Sequence, residues 1–266
     1  MSSVKKIFLL LLTIFFVAGC GGEKNSNSMK YSRIVTVGID DAFAPMSFRD
    51  DRGNIVGFDI DLAKETAKRM GVEFEFKPIL WNDKRMEIIS GNVDMIWSGC
   101  DIIDEYKEYM IFSKPYMDNR QILLVEKNNP QGIYSLGDLA DKIVGTQAGS
   151  NSETYIDEDE YLRKSFADFK TYNHFGEGFA DLSKGKLDAL IVDEIAARYE
   201  MNRTPDTFEA VEVTVGSVTG FGIGFKKNNI ELRDKVQKAF DEMIKDGTAK
   251  KISEQWFGAD LIKGRR

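Results

Sequence analysis

The side chains with chemistry to offer gather where apolar runs end. Val93-Asp94-Met95-Ile96-Trp97 is such a run, and it empties into SGCDIIDEY, residues 98–106, where Ser98, Asp101, Asp104, Glu105 and Tyr106 crowd around Gly99. Asp40, Asp41 and Phe43 follow RIVTVGI in the same way, and Trp81 follows VEFEF and its loop. Gln147 closes DKIVGTQ with Ser150 and Asn151 just beyond it, and Asp193 follows LDALIV. In an open α/β sheet, ligands sit outside the carboxyl ends of the strands. Carboxylates, hydroxyls, amides and aromatic walls together suit a small polar ligand that carries amine groups, with Phe43 and Trp81 able to cover a cation. Each residue alone has a plainer reading. Phe43 and Trp81 also suit a core, Asp193 also suits a helix cap, and Asp104 and Glu105 suit an exposed helix start. What joins them is their common placement at strand ends.

Catalytic chemistry finds less support. The sole histidine, His174, lies in TYNHFGEGF with no nucleophile motif beside it, which fits a surface or capping residue. The sequence has no HExxH, no CxxC and no phosphate-cradling glycine pattern. DEYKEY and DIDLAKE lack the glycine-hinged oxygen spacing of a Ca²⁺ loop. No catalytic residue, metal site or cofactor is expected.

The elements that must position these residues follow from periodicity. RIVTVGI (33–39) reads as a buried strand. In FDIDLAKETAKRMG, Leu62, Ala63, Thr66, Ala67 and Met70 recur at helical spacing, with Asp59 or Asp61 as the cap and Gly71 as the stop. VEFEF (72–76) alternates as a strand, Arg85 to Ser90 reads as a helix stopped by Gly91, and Val93 to Trp97 is the next strand. This β-α-β-α-β order predicts parallel pairing with helices on the faces. After the strand QILLVEK (121–127) and the loop NNPQG the pattern restarts. DKIVGTQ reads as a strand and GSNSETYI leads into a helix. FADLSKG ends another helix at Gly185, LDALIV (187–192) is a buried strand, and DEIAARYE is a further helix. Two similar α/β halves are expected rather than one continuous sheet. FGIGF (221–225) then gives a strand, followed by helices in ELRDKVQKAFDEMIKDG and TAKKISEQWFG.

Of the 266 residues, 42% are hydrophobic and 30% charged, which is ordinary globular composition, and the net charge is −7. No basic stripe suited to nucleic acid is present: Lys5-Lys6, Lys226-Lys227, Lys250-Lys251 and Arg265-Arg266 read as solvated ends or helix faces. At the N-terminus, Lys5 and Lys6 precede an apolar run from Ile7 to Val17, of signal-peptide length and too short to span a bilayer. It ends in VAGC, which resembles a bacterial lipobox; that resemblance implies cleavage before Cys20 and lipidation of its thiol. GGEKNSNS then reads as a tether over 21–30. The expected mature protein is an extracytoplasmic body held to a bacterial membrane by lipid. With Cys20 lipidated, Cys100 has no disulfide partner and reads as an inert buried thiol.

The order of VTVGIDDAFAPMSFRDDRGNIVGFDIDLAKETAKRMG, SGNVDMIWSG, FSKPYM, GKLDALIVDE, FGIGF and DGTAKKISEQWFG resembles the solute-binding proteins of polar amino-acid ABC importers, those similar to glutamine-, histidine- and arginine-binding proteins. The likeness covers about Tyr31 to Gly258. It implies an α/β fold of two lobes joined by two hinge strands, the periplasmic-binding-protein-like type II arrangement. Lobe 1 would span 31–115 plus 222–266 and lobe 2 would span 121–216, with hinges near 116–120 and 217–221. A monomer that closes on a small amino acid or amine, and a membrane permease that meets the closed form, are implied with it. By position, Asp40 and Phe43, Trp81 and Gly99, then Gln147 and Asn151, match ligand contacts from the two lobes, and Ser98 and Ser150 join them as expected binding residues by their placement at strand ends. Asp193 matches the carboxylate that holds the ligand's α-amino group.

The stretch 98–106 departs from the family pattern. Relatives read G-x-T-x-T-x-E-R there, and the threonine and arginine clasp the ligand's α-carboxylate. Here those positions hold Asp101, Ile103 and Tyr106. Three explanations stand open. The ligand lacks a free carboxylate, or Arg120 in the expected hinge supplies the clasp, or Asp101 is protonated or turned outward. An enzyme of the cyclohexadienyl-dehydratase kind, on the same scaffold, is an alternative function. Its dicarboxylate substrate would need the positive anchors this stretch lacks. A sensory or binding lipoprotein outside transport is another.

Overall fold

The short β-branched runs and amphipathic segments form the alternation that the periodicity predicts. A computed structural model describes residues 34–264. The signal segment, Cys20, the 21–30 tether and the expected start at Tyr31 lie outside the described residues. The first part of the chain supplies β1 (Ile34–Ile39), β2 (Ala42–Phe43), β3 (Ser47–Arg49), β4 (Ile55–Val56), α1 (Phe58–Met70), β5 (Glu73–Pro78), α2 (Lys84–Ser90), β6 (Met95–Asp101), α3 (Asp104–Lys107) and β7 (Met110–Phe112). Then come β8 (Met117–Glu126), β9 (Ile143–Gln147), α4 (Asn151–Glu158), α5 (Glu160–Ser165), β10 (Asp168–Tyr172), α6 (Phe175–Leu182), β11 (Ala189–Asp193) and α7 (Glu194–Arg203). The chain ends with β12 (Phe208–Lys226), α8 (Ile230–Asp246) and α9 (Thr248–Phe257). Among the described residues, no helix is long and apolar enough to cross a membrane.

The main sheet has the order β10-β9-β11-β8-β12-β6-β1-β5, with β7 also on β12. The parallel pairs β1–β5 and β1–β6 lie on one side, and β9–β10 and β9–β11 on the other. The pairing path is continuous, which corrects the expectation of two separate sheets. The reason is the length of β12, 19 residues. Its first part pairs antiparallel with β8 from Phe208↔Glu126, it reaches Thr219↔Asn119 and Phe221↔Met117, and its last part pairs with β6. Bulges between Val211 and Thr214 and between Val215 and Thr219 reset the register along the way.

Two local expectations are corrected. Neither Asp59 nor Asp61 caps α1. The helix starts after Gly57, and its first backbone donors, on Phe58 and Asp59, bond the carbonyls of Pro45 and Met46 at 2.9 Å each, so no side-chain cap is needed. Asp61 instead accepts from Trp256 Nε1 at 2.9 Å. The strand expected over 93–97 is β6, which starts only at Met95 and runs on through Ser98, Gly99 and Cys100 to Asp101, every residue of it buried. The acidic corner is therefore the strand's own end.

The apolar faces meet in a core that includes Val35, Val37, Trp97, Leu124, Leu190 and Phe225. Two smaller clusters flank it. One packs Leu123, Val144, Ile156 and Ile191, and the other packs Trp81, Ile88, Ile96, Cys100 and Tyr106. Burial raises the Cys100 thiol to about 12, which keeps it protonated and unreactive.

Candidate functional site

Four strands deliver their carboxyl ends to one place. Asp40 follows β1, Ser98, Gly99 and Asp101 end β6, Gln147 ends β9, and Asp193 ends β11. Ser150 caps α4 by accepting from Glu153 N at 3.2 Å, and Asn151 opens that helix. Phe43 enters from β2 and Trp81 from the single helical turn Trp81–Asp83. These ten residues line one cavity of about 10 Å³, with walls drawn from both halves of the sheet. Phe43 and Trp81 also belong to the apolar clusters, so the core and cavity-wall readings hold together. Gly99 has φ +51°, and a Cβ there would run into the Phe43 ring. Its N–H donates to Asp59 Oδ2 at 2.7 Å, and Tyr116 Oη donates to both oxygens of that carboxylate at 2.9 Å. Burial raises Asp59 to about 7. Asp59 is thus the buried support of the glycine, a role its place in an amphipathic helix did not signal.

Asp40 is answered from several directions. Its own N–H donates to Ser98 Oγ at 3.1 Å, and Ser47 Oγ donates to its carbonyl at 2.8 Å. The carboxylate accepts from Ala42 N at 2.9 Å and from Gln147 Nε2 at 2.6 Å, and it meets His174 Nδ1 at 3.1 Å. His174 is partly exposed and occupies the cap position of α6, without a side-chain cap bond, and its ring turns to a carboxylate 134 residues away in sequence. The Asp40 bond raises the imidazole above its ordinary value.

Asp101 and Asp193 stand in a different environment. Asn119 Nδ2 reaches both, at 3.0 Å to Asp101 Oδ1 and 2.5 Å to Asp193 Oδ1. Gln121 Nε2 donates to Asp193 Oδ1 at 2.6 Å, oriented by Ser152 Oγ on its Oε1, also at 2.6 Å. Thr219 Oγ1 donates to Asp101 Oδ1. Asp193 occupies the cap position of α7 but its side chain makes no cap bond. Burial raises both carboxyls above the ordinary range, and the charge of Asp193 adds to the rise at Asp101.

Two of the twelve expected ligand-binding residues do not line the cavity. Tyr106 is 1% exposed and donates its hydroxyl to the Gly149 carbonyl at 2.7 Å. Arg120 bonds both oxygens of Glu194, at 2.6 and 2.8 Å, and Glu212 at 2.8 Å, so it faces away into an acidic cluster. Reading the sequence missed Lys84. Its Nζ donates to the same Gly149 carbonyl at 2.5 Å and lies 4.3 Å from the Tyr106 ring centroid and 5.3 Å from that of Trp81. Burial lowers it to about 8. Its signal was available, because Lys84 and Ile88 share the buried face of α2 at helical spacing. Asp104 and Glu105 are exposed on α3, as expected. Among the described residues, no group of three or more His, Cys, Asp or Glu is arranged to hold a metal ion.

In chemical terms, the cavity offers carboxylates, amides, hydroxyls and two aromatic faces. Residues 35–259 match the family described as bacterial extracellular solute-binding proteins, family 3. The L-cystine-binding protein TcyJ of Escherichia coli K12 is 35% identical over 239 residues, covering 89% of this chain and 87% of the relative. The arginine-binding extracellular protein ArtP of Bacillus subtilis is 31% identical over 260 residues, covering 96% and 98%. Among solved structures, a substrate-binding protein of an ABC uptake transporter from Streptococcus pneumoniae with bound histidine superposes with TM-score 0.82 and 33% identity, covering 87% of this chain and 95% of that one. An ancestral arginine-binding protein bound to arginine gives 0.79 and 38%, covering 86% and 100%.

Proposed function

The chain belongs to the bacterial extracellular solute-binding proteins, family 3, and from that membership we propose that it is the substrate-binding component of an ABC importer. On this reading it captures a small polar amino acid or related amine by closing two lobes around it. The observation that carries the reading is the convergence of strand ends from both halves, joined by the paired strands β8 and β12, on one cavity of about 10 Å³, the space of a single water, so that the halves must part to admit a ligand. The lobes are 31–115 plus 222–266 and 121–216, and the hinges at 116–120 and 217–221 contain the pairs Thr219↔Asn119 and Phe221↔Met117. The protein works outside the cytoplasm as a monomer, anchored through a lipid on Cys20, and hands its ligand to a membrane permease. The ligand-binding residues are the ten that line the cavity.

Binding without chemistry is the reading favoured over an enzyme. The named relatives are binding proteins, and among the described residues no lysine or arginine lines the cavity to anchor a dicarboxylate substrate. Thermal melting against the proteinogenic amino acids and their decarboxylated amines tests the proposal. A ligand at one hundred times its Kd adds about 2.7 kcal/mol to the folded state and raises Tm accordingly. If no compound of either set raises Tm, the reading fails.

A further inference from the structure

Resting on the reading of the cavity as a ligand site, we infer that its ligand is a small organic cation without a free carboxylate, an amine or guanidinium compound rather than an amino acid. The ten lining residues include three carboxylates, Asp40, Asp101 and Asp193, and neither a lysine nor an arginine. Asp40 already has an ionisable partner in His174 and an amide in Gln147. Asp101 and Asp193 have only the neutral side-chain donors Asn119, Gln121 and Thr219. All of these donors bond Oδ1, so each of the two carboxylates keeps an Oδ2 that no side-chain donor among the described residues reaches. Two carboxylates in one buried space each disfavour the other's ionisation, and a cation between them relieves both. Phe43 and Trp81 supply the aromatic faces that suit such a cation.

The nearby cations are committed elsewhere. Arg120 is held by Glu194 and Glu212. Lys84 donates to the carbonyls of Gly149 and Trp81 and lies against the Tyr106 ring. Tyr106, which could donate a hydroxyl to a ligand carboxylate, spends it on Gly149. A carboxylate entering beside Asp101 and Asp193 would meet like charge with no positive partner among the lining residues. Coulomb's law at the effective dielectric of a protein makes that a loss of well over tenfold in affinity for two unit charges about 4 Å apart.

Calorimetric titration of the full protein at pH 8 with matched pairs tests the inference: arginine and agmatine, lysine and cadaverine, ornithine and putrescine, histidine and histamine. Each pair differs only in the carboxylate. The expected result is at least one amine binding tenfold or more tighter than its parent amino acid, about 1.4 kcal/mol in binding free energy. The inference is overturned if the amino acid binds as tightly as its amine in every pair that binds, or if nothing binds. In the second case a double variant, Asp101→Thr with Tyr106→Arg, separates the two readings. If it is folded by its melting curve and binds amino acids, the cavity is a ligand site and only the cation inference falls. If it is folded and binds nothing, the proposed function falls as well.

Discussion

Asp40 and the Asp101–Asp193 pair line the same cavity, yet the chain treats their charges in opposite ways. Across the cleft from Asp40 come an amide and an imidazole, Gln147 at 2.6 Å and His174 at 3.1 Å, both from the half of the sheet that contains β9 and α6. Across from Asp101, at the end of β6, comes a second carboxylate, Asp193, at the end of β11. A neutral amide on β8, Asn119, stands between them. One end of the cavity links the halves by its own hydrogen bonds. The other holds like charges near each other; on the proposed reading, a cation arriving there would stabilise a closed arrangement more than an open one. Burial is therefore a poor guide to role on its own. All three aspartates are buried, and what separates them is the sign of the group facing each.

Breaking the like-charged pair should give the largest effect. Asp193→Asn removes one of the two anions while keeping its shape. Truncating one side of a buried charge contact costs about 2–5 kcal/mol, so amine affinity is expected to fall by about thirtyfold or more at pH 8 by calorimetry. Without ligand, the same variant is expected to melt at or above the wild-type temperature, because the repulsion is gone. Asp40→Asn should do the reverse, lowering the ligand-free melting temperature with a smaller loss of affinity. If Asp193→Asn leaves affinity intact and destabilises the fold, the pair is structural and the contrast with Asp40 is lost.

Acidity sharpens the same contrast. Burial raises Asp59 to about 7, and it also raises Asp101 and Asp193 above the ordinary carboxylate range. Between that ordinary range and about pH 7 the folded state therefore holds protons that the unfolded chain has released. Stability falls as pH rises through that window, by up to about 1.4 kcal/mol per pH unit for each such group. His174, raised by Asp40, acts in the same direction: its contribution is complete below the unfolded value and lost as pH rises through the folded one. Glu194, lowered to about 2 by Arg120, does not titrate in this window. The groups facing Asp101 are Asp193 on β11, Asn119 on β8, Thr219 on β12 and Lys84 on α2. Urea unfolding at pH 5, 6, 7 and 8 should show the decline, and Asp101→Asn should flatten it. Amine affinity should run the other way, rising through the same window as the pair ionises. A ligand-free stability that is level from pH 5 to 8 would mean that these carboxyls titrate normally.

How much of this was legible in the sequence depends on how local each signal is. The α/β alternation, the boundaries at Gly71 and Gly91 and the ten lining residues came from period, strand ends and family pattern, all of which act over a few residues or a fixed spacing. Gly99 was readable because a glycine at a strand end marks close approach, here by the Phe43 ring. The continuity of the sheet was not readable, since FGIGF shows only the last part of β12, and although AVEVTV before it alternates as a strand, which distant strands it pairs with leaves no local signal. Asp59 looked like a helix cap because its true partners, Gly99 and Tyr116, lie 40 and 57 residues away. His174 had no local signal at all. Lys84 had one that went unused, since a lysine in the apolar phase of a helix is either misplaced or buried for a reason.

Arg120 and Lys84 make the last comparison, and the smallest expected effect. Arg120 is half-buried and turned away from the cavity toward its acidic partners, whereas Lys84 is enclosed. The Arg120 pairs with Glu194 and Glu212 are backed by Arg198, which bonds the same two carboxylates. Removing one cation from a partly exposed network with a second in place should cost less than about 1 kcal/mol. Arg120→Gln is therefore expected to shift the urea midpoint only slightly, and to change amine affinity by no more than about twofold, the scale of a screened surface charge. Arg120 stood as one explanation for how a ligand carboxylate could be held, and this variant decides it. If arginine or lysine binds the wild type and Arg120→Gln weakens that binding tenfold while the matching amine is unaffected, the guanidinium leaves its acidic partners to reach the ligand. The absence of a positive charge at the cavity wall would then be a property of the ligand-free arrangement alone.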